Sequence, residues 1–252
     1  MQKTVYTLKQ NPFGKGKRIA LVSDLHSGKP SKVIAELNKI KPDYILLAGD
    51  ILEALDGRKD TLNEKAFEIF KACADIAQTF YCTGNHEDGA VHSQNRKWKK
   101  NGAERQRIYT DRNLKKIKDS GVEFLLDRWT VTDGIAFGGL SSGLLKADRT
   151  PDLEFLREFS SLNEPKILIC HHPEYYDKYI NELPIDLTVS GHAHGGQWRL
   201  FGRGIYAPGQ GLFPKYTSGA YDGGRLIVSR GLKRPWPIPR FFNTREIIII
   251  EI

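Results

Sequence analysis

Short apolar runs recur along the chain, each bounded by turn-forming or charged residues. Residues 44–48 read Tyr-Ile-Leu-Leu-Ala, residues 166–170 read Lys-Ile-Leu-Ile-Cys, and residues 247–250 are four isoleucines. Strands are predicted at residues 18–23, 44–48, 79–82, 123–126, 135–140, 166–170, 187–190, 226–229 and 246–252. Between them, the spacing of apolar positions predicts helices at residues 31–40, 62–78, roughly 104–120, 152–161 and 174–181. Ser31 reads as an N-cap, and Pro151-Asp152 as the start signal of its helix. Strands alternating with helices read as α/β.

No internal repeat or linker divides the chain, so residues 1–252 are read as one domain. After Gly191 the texture changes. Gly and Pro become frequent from 195 to 231 with little helical periodicity, which predicts turns and short strands wrapped beside the rest. The aromatics Phe201, Tyr206, Phe213, Tyr216 and Tyr221 argue that this stretch packs.

Composition is ordinary for a soluble globular protein, at 40% hydrophobic and 27% charged residues. The longest apolar runs are strand-length, far short of a membrane span. Residues 1–20 are polar and basic, without the apolar core of a signal peptide. Cys73, Cys82 and Cys170 lack metal-type spacing and read as buried small hydrophobes in a reducing, cytoplasmic setting. Net charge is +8, and from residue 96 to 118 ten Lys or Arg face only Glu104 and Asp111. That segment reads as a solvated helical face or as a basic lid attracting an anionic substrate.

Six of the seven histidines fall in four short motifs: Asp24-Leu25-His26, Gly84-Asn85-His86, His171-His172-Pro173 and Gly191-His192-Ala193-His194. Gly49-Asp50 lies between the first two, and only His92 stands outside, read as a surface residue. Asp, Asn and His are poor core residues and good metal ligands. Asp24, Asp50, Asn85, His171 and His192 each follow a predicted strand. Ligands of α/β sheets bind at the carboxyl ends of strands, so the five positions are expected to converge on one rim.

This ordered set resembles the calcineurin-like metallophosphoesterase superfamily, whose motifs match SDLH (23–26), AGD (48–50), TGNHE (83–87), CHHP (170–173) and SGHAHGGQ (190–197). The GHAHGGQ form, followed by Ser229-Arg230-Gly231-Leu232, looks most like a bacterial phosphodiesterase subgroup. Some relatives there carry an N-terminal membrane segment, and some cleave the pyrophosphate of UDP-diacylglucosamine. The resemblance implies a four-layer α/β/β/α sandwich with two mixed sheets. It also implies two divalent ions (Mn, Fe or Zn). Asp24, His26 and His194 would hold one, Asn85, His171 and His192 the other, and Asp50 would bridge them. Ions about 3.5–4 Å apart repel, and a bridging carboxylate plus hydroxide offsets that. With no thiolate in the set, soft-ligand metals are disfavoured.

His86 follows Asn85 directly and is the candidate general acid. Glu87 either orients it or caps a following turn. Of His171 and His172 only one should face the metals, because strand neighbours point to opposite faces, and the family pattern selects His171. Gln197 has no assigned role. Trp98 and Tyr109 read as core or as stacking platforms for a base or sugar. No substrate-binding residue is assigned.

The expected activity is hydrolysis of a phosphoester, most simply a diester, by a metal-bridging hydroxide. The alternatives are a UDP-diacylglucosamine-type pyrophosphatase, a nuclease and, in another class, a binding scaffold without turnover. Expected partners are a small-molecule or lipid-linked phosphoester, with nucleic acid less favoured and peripheral membrane association compatible with the cytoplasmic reading.

Overall fold

The computed structural model describes residues 1–8, 10–53, 64–88, 109–143, 150–233 and 239–252. His92, Trp98 and the first half of the basic segment therefore lie outside the described residues.

Two six-stranded mixed sheets form the centre. The first runs in the order β1 (Gln2–Thr7), β16 (Glu246–Glu251), β2 (Arg18–Val22), β3 (Tyr44–Ala48), β4 (Gln78–Cys82) and β5 (Glu123–Phe124). Strands β2 to β5 are parallel, and β16 pairs antiparallel with β2. The second runs β14 (Gly219–Tyr221), β15 (Leu226–Val228), β9 (Leu187–Ser190), β8 (Lys166–Cys170), β7 (Ile135–Leu140) and β6 (Arg128–Thr132). Its two outer pairs are antiparallel, and β15, β9, β8 and β7 run parallel.

The apolar runs are continuous because both faces of these strands are covered. In β3, Tyr44, Leu46 and Ala48 enter the core between the sheets, while Ile45 and Leu47 face the helices. Between the sheets Phe80 stacks on Phe137, with centroids 4.0 Å apart, a contact worth about 1 kcal/mol beyond its buried area. Helices α1 (Ser31–Ile40), α2 (Glu68–Ile76) and α3 (Asp111–Asp119) cover the first sheet through residues such as Leu37, Phe70 and Ile117. Helix α4 (Leu153–Ser160) covers the second through Phe155, Leu156 and Phe159. The result is the four-layer α/β/β/α sandwich with two mixed sheets.

Several boundaries differ from the sequence pattern. The helix read at 62–78 ends at Ile76, and Gln78 already pairs in β4. Pro30 rather than Ser31 occupies the N-cap of α1, whereas Asp152 caps α4 by accepting from the amides of Glu154 and Phe155. The stretch at 174–181 shortens to one wide π turn, Tyr176–Ile180, closed by the Asn181 amide on Tyr176 O. Strands β1 and β6 were not predicted. Both are edge strands with half-exposed side chains, so neither shows an apolar run. Phe201, Tyr206 and Phe213 do not pack: they are 96%, 43% and 79% exposed. Only Tyr216 of that aromatic group is buried. All three cysteines are free and buried. Among the described residues no helix is long and apolar enough to cross a membrane.

Candidate metal centre

The carboxyl ends of β2, β3 and β4 in one sheet meet those of β8 and β9 in the other. The loops there are tied by backbone bonds: Asp24 N–H donates to Gly49 O, His26 N–H to Asp50 O, and Gly191 N–H to His171 O. Close approach requires glycine at two points. A Cβ on Gly49 would lie 2.5 Å from His171 Nδ1, and one on Gly84 would lie 2.3 Å from Asp50 Oδ1.

All seven candidate ligands reach this rim. Asp24, His26 and His194 bring ligand atoms within 4.8 Å of one another, and so do Asp50, His171 and His192. Asp50 lies between the groups: its Oδ2 is 3.3 Å from His171 Nε2 and 3.7 Å from His26 Nε2. Asn85 precedes His86, whose amide donates to Asp50 Oδ1 at 2.8 Å. Asp24, His26, Asp50, His192 and His194 all have φ between 47° and 65°. Left-handed backbone is unfavourable for such residues and is retained where surrounding structure enforces it, commonly at functional sites.

Buried polar atoms without a partner accumulate here. Asp24 Oδ2, Asp50 Oδ2, Asn85 Oδ1, His26 Nε2 and His171 Nε2 all lack a hydrogen bond. Buried lone pairs left unpaired are costly, and a shared cation satisfies several at once. His171 is already oriented for this. Its Nδ1–H donates to Ala48 O at 2.8 Å, which turns Nε2 toward Asp50, 3.3 Å away. The donor set therefore fits divalent cations.

The electrostatics follow the geometry. Burial opposes ionisation of Asp50, but His171, His86 and His26 outweigh it and hold the carboxyl well below its usual range. Burial lowers the pKa of His171, yet Asp50 and Asp24 raise it to about 10. His26, His192 and His194 are pushed down, first by burial and then by neighbouring cations. For His86 burial again lowers the pKa, but Asp50 and Glu53 win and raise it.

Four contributors were not singled out from sequence. Glu53 places one carboxylate oxygen 3.2 Å from His86 Nδ1 and the other 3.3 Å from His26 Nδ1. It stands three residues after Asp50, and that spacing was its only signal. Glu174 lies 3.2 Å from His172 Nδ1 and 3.9 Å from His192 Nε2. Asn243 donates to His194 O and Gln197 O, and Arg240 Nη2 lies 3.3 Å from His194 Nδ1. Both come from a C-terminal segment without a recognisable motif.

Glu87 ties two loops together. Its buried carboxylate accepts from the backbone amides of Asp50, Ile51, Leu52 and Gly84 and from the Tyr81 hydroxyl, and so joins the β3 and β4 loops. Burial and Asp50 push its carboxyl up to about 7, against the amides of Leu52 and Gly84, which favour the ionised form. His172 stacks on Tyr175 beside His192. Tyr109 bonds to Tyr81 and packs edge-on against Phe124, a core position rather than a stacking platform.

Residues 17–196 match the family model described as Calcineurin-like phosphoesterase. Phosphodiesterase YaeI of Escherichia coli is 29% identical, over 73% of this chain and 62% of that protein. An uncharacterized metallophosphoesterase of Campylobacter jejuni is 27% identical, over 93% of this chain and 59% of that protein. UDP-2,3-diacylglucosamine pyrophosphatase LpxG of Chlamydia muridarum is 24% identical, over 94% of this chain and 83% of that protein. The chain thus spans about three fifths of the first two relatives.

Proposed function

This chain belongs to the calcineurin-like phosphoesterase family, and from that premise we propose that it hydrolyses a phosphodiester with two divalent ions bound at the rim. The observation that carries the reading is the set of buried atoms without a hydrogen bond on Asp24, His26, Asp50, Asn85 and His171, four of which fall in the two ligand groups. Asp24, His26 and His194 would hold one ion, Asn85, His171 and His192 the other, and Asp50 would serve both. Bound there, such ions supply charge for the phosphoryl oxygens and acidify a water.

The protein's own chemistry concerns the leaving group. His86 Nδ1 faces the Glu53 carboxylate at 3.2 Å, and Nε2 lies on the Asp50 side, 3.8 Å from Oδ2. Asp50 and Glu53 raise its pKa and so favour the protonated ring, whose Nε2–H can pass its proton to the departing oxygen. Glu53 stabilises that imidazolium and fixes the ring, and it performs the same orienting role for His26.

The direct test is hydrolysis of bis(p-nitrophenyl) phosphate with Mn²⁺, Zn²⁺ or Fe²⁺, beside p-nitrophenyl phosphate. Faster turnover of the diester supports the reading, and preference for the monoester replaces it with a phosphatase. Silence with both leaves the second reading, a lipid-linked pyrophosphate, which the LpxG relative and the apolar surface beside His194 favour. Replacing His86 with Ala is expected to lower kcat about 100- to 1000-fold while metal content stays at the wild-type level. Loss of metal together with activity would make His86 a structural residue instead.

Metal uptake should depend on pH. His171 must lose a proton to present Nε2, and in the metal-free protein its pKa is about 10. Affinity is therefore expected to rise roughly tenfold per pH unit between pH 6 and 8 for one displaced proton. Titrations in buffers of different ionisation enthalpy will show proton release, and pH-independent affinity would contradict it. In the metal-free protein the same shift stabilises the fold fully below about pH 6.5. That contribution fades as pH rises through about 10.

A further inference from the structure

Phe201, Phe213 and Phe242 are the most exposed large apolar residues described, at 96%, 79% and 88%. Each holds left-handed backbone, with φ of 49°, 51° and 51°. Bulky L-residues rarely adopt that conformation. None of the three belongs to a buried cluster. Aromatic tips are thus presented to solvent against both local preference and burial.

They lie on adjoining segments. The amide of Arg199 donates to Phe241 O, that of Ile205 to Trp198 O, and that of Phe213 to Ile205 O, so four segments lie side by side. Two hairpins complete the set, β10 (Arg199–Leu200) with β11 (Arg203–Gly204), and β12 (Tyr206–Ala207) with β13 (Gly211–Leu212). Cross-strand partners share a face. Leu200 pairs with exposed Arg203, and Tyr206 with Leu212, while Ala207 turns into the core. Arg203 is exposed at the tip of its hairpin, whereas Lys215, Arg225 and Arg230 pair with Asp177, Asp222 and Glu246.

We propose that this face docks on an anionic lipid bilayer. Single aromatic tips with exposed Arg203 among them suit the bilayer interface: rings enter at headgroup depth, and the guanidinium meets lipid phosphate. The face adjoins the rim, since Asn243, next to Phe242, bonds to His194 O. Docking would therefore set the site beside the membrane surface. The proposal stands apart from the hydrolase reading, because binding is measured without turnover.

The test is co-sedimentation of the full chain with vesicles of phosphatidylglycerol and phosphatidylcholine, against vesicles of phosphatidylcholine alone. Wild type is expected to bind the anionic vesicles and to be released by salt. The triple variant Phe201→Asn, Phe213→Asn, Phe242→Asn should bind at least tenfold more weakly. Asn tolerates left-handed backbone, so the variant keeps its fold, which its melting temperature checks. Arg203→Glu should weaken binding to anionic vesicles alone. Absence of wild-type binding, or equal binding by wild type and triple variant, overturns the proposal. So does a wild-type dimer in sedimentation velocity that the triple variant disperses, since the face would then join two copies of the chain.

Discussion

Replacing Asp50 with Ala is expected to reduce kcat/KM for a phosphodiester at least a thousandfold, about 4 kcal/mol of barrier, and to leave at most one equivalent of metal. Its carboxylate serves both halves of the site. Oδ1 accepts the His86 amide, which fixes the loop carrying Asn85. Oδ2 has no hydrogen-bond partner and faces His171 and His26 at 3.3 and 3.7 Å. It is also the chief group raising the pKa of His171. Without it that pKa falls, and metal uptake becomes less steeply dependent on pH. Asp50→Asn separates the two functions, because the amide oxygen can still accept from His86 while the charge is gone. Metal analysis and diester kinetics on both variants decide the matter. Wild-type metal content and turnover in Asp50→Ala would remove Asp50 from the centre.

Replacing Glu87 with Ala is expected to destabilise the fold by about 3–5 kcal/mol, because four buried backbone amides lose their acceptor. For a chain of this size that is a fall of roughly 10 °C in melting temperature. The amides belong to Asp50, Ile51, Leu52 and Gly84, all on the loops that bear Asp50 and Asn85. Activity should therefore fall with stability, even though Glu87 touches no candidate metal position. Glu87→Gln keeps one oxygen but turns an NH₂ toward amide donors, so it recovers only part of the loss. A melting temperature within 2–3 °C of wild type in Glu87→Ala, at the scale of a single kcal/mol, would show that other contacts hold these loops.

The central strands were legible because a strand covered on both faces must be apolar throughout. Tyr44–Ala48, Ile135–Leu140, Lys166–Cys170 and Leu187–Ser190 show this, and their bounds match the sequence reading. The edge strands Gln2–Thr7 and Arg128–Thr132 face solvent on part of their surface and carry no such run. The candidate site was legible for a related reason: Asp, Asn and His repeatedly placed just after strands have little to offer a core. Glu53 and Glu174 escaped notice because a single acidic residue in a loop looks like any solvated charge. Only their distances to His86 and His172 distinguish them.

Periodicity and spacing, which are properties of neighbours along the chain, were enough to specify the α/β class and the order of the strand-end motifs. Which atoms face one another was decided by the packing of two sheets. That packing sets Asp50 between His26 and His171 and turns Glu87 into a clasp between loops. It also leaves Phe201, Tyr206 and Phe213 exposed although the aromatic content of their stretch suggested packing. Contacts between residues distant in sequence depend on backbone direction at each loop. The left-handed φ values of Asp24, His26, Asp50, His192 and His194 arise only once the assembled fold imposes them.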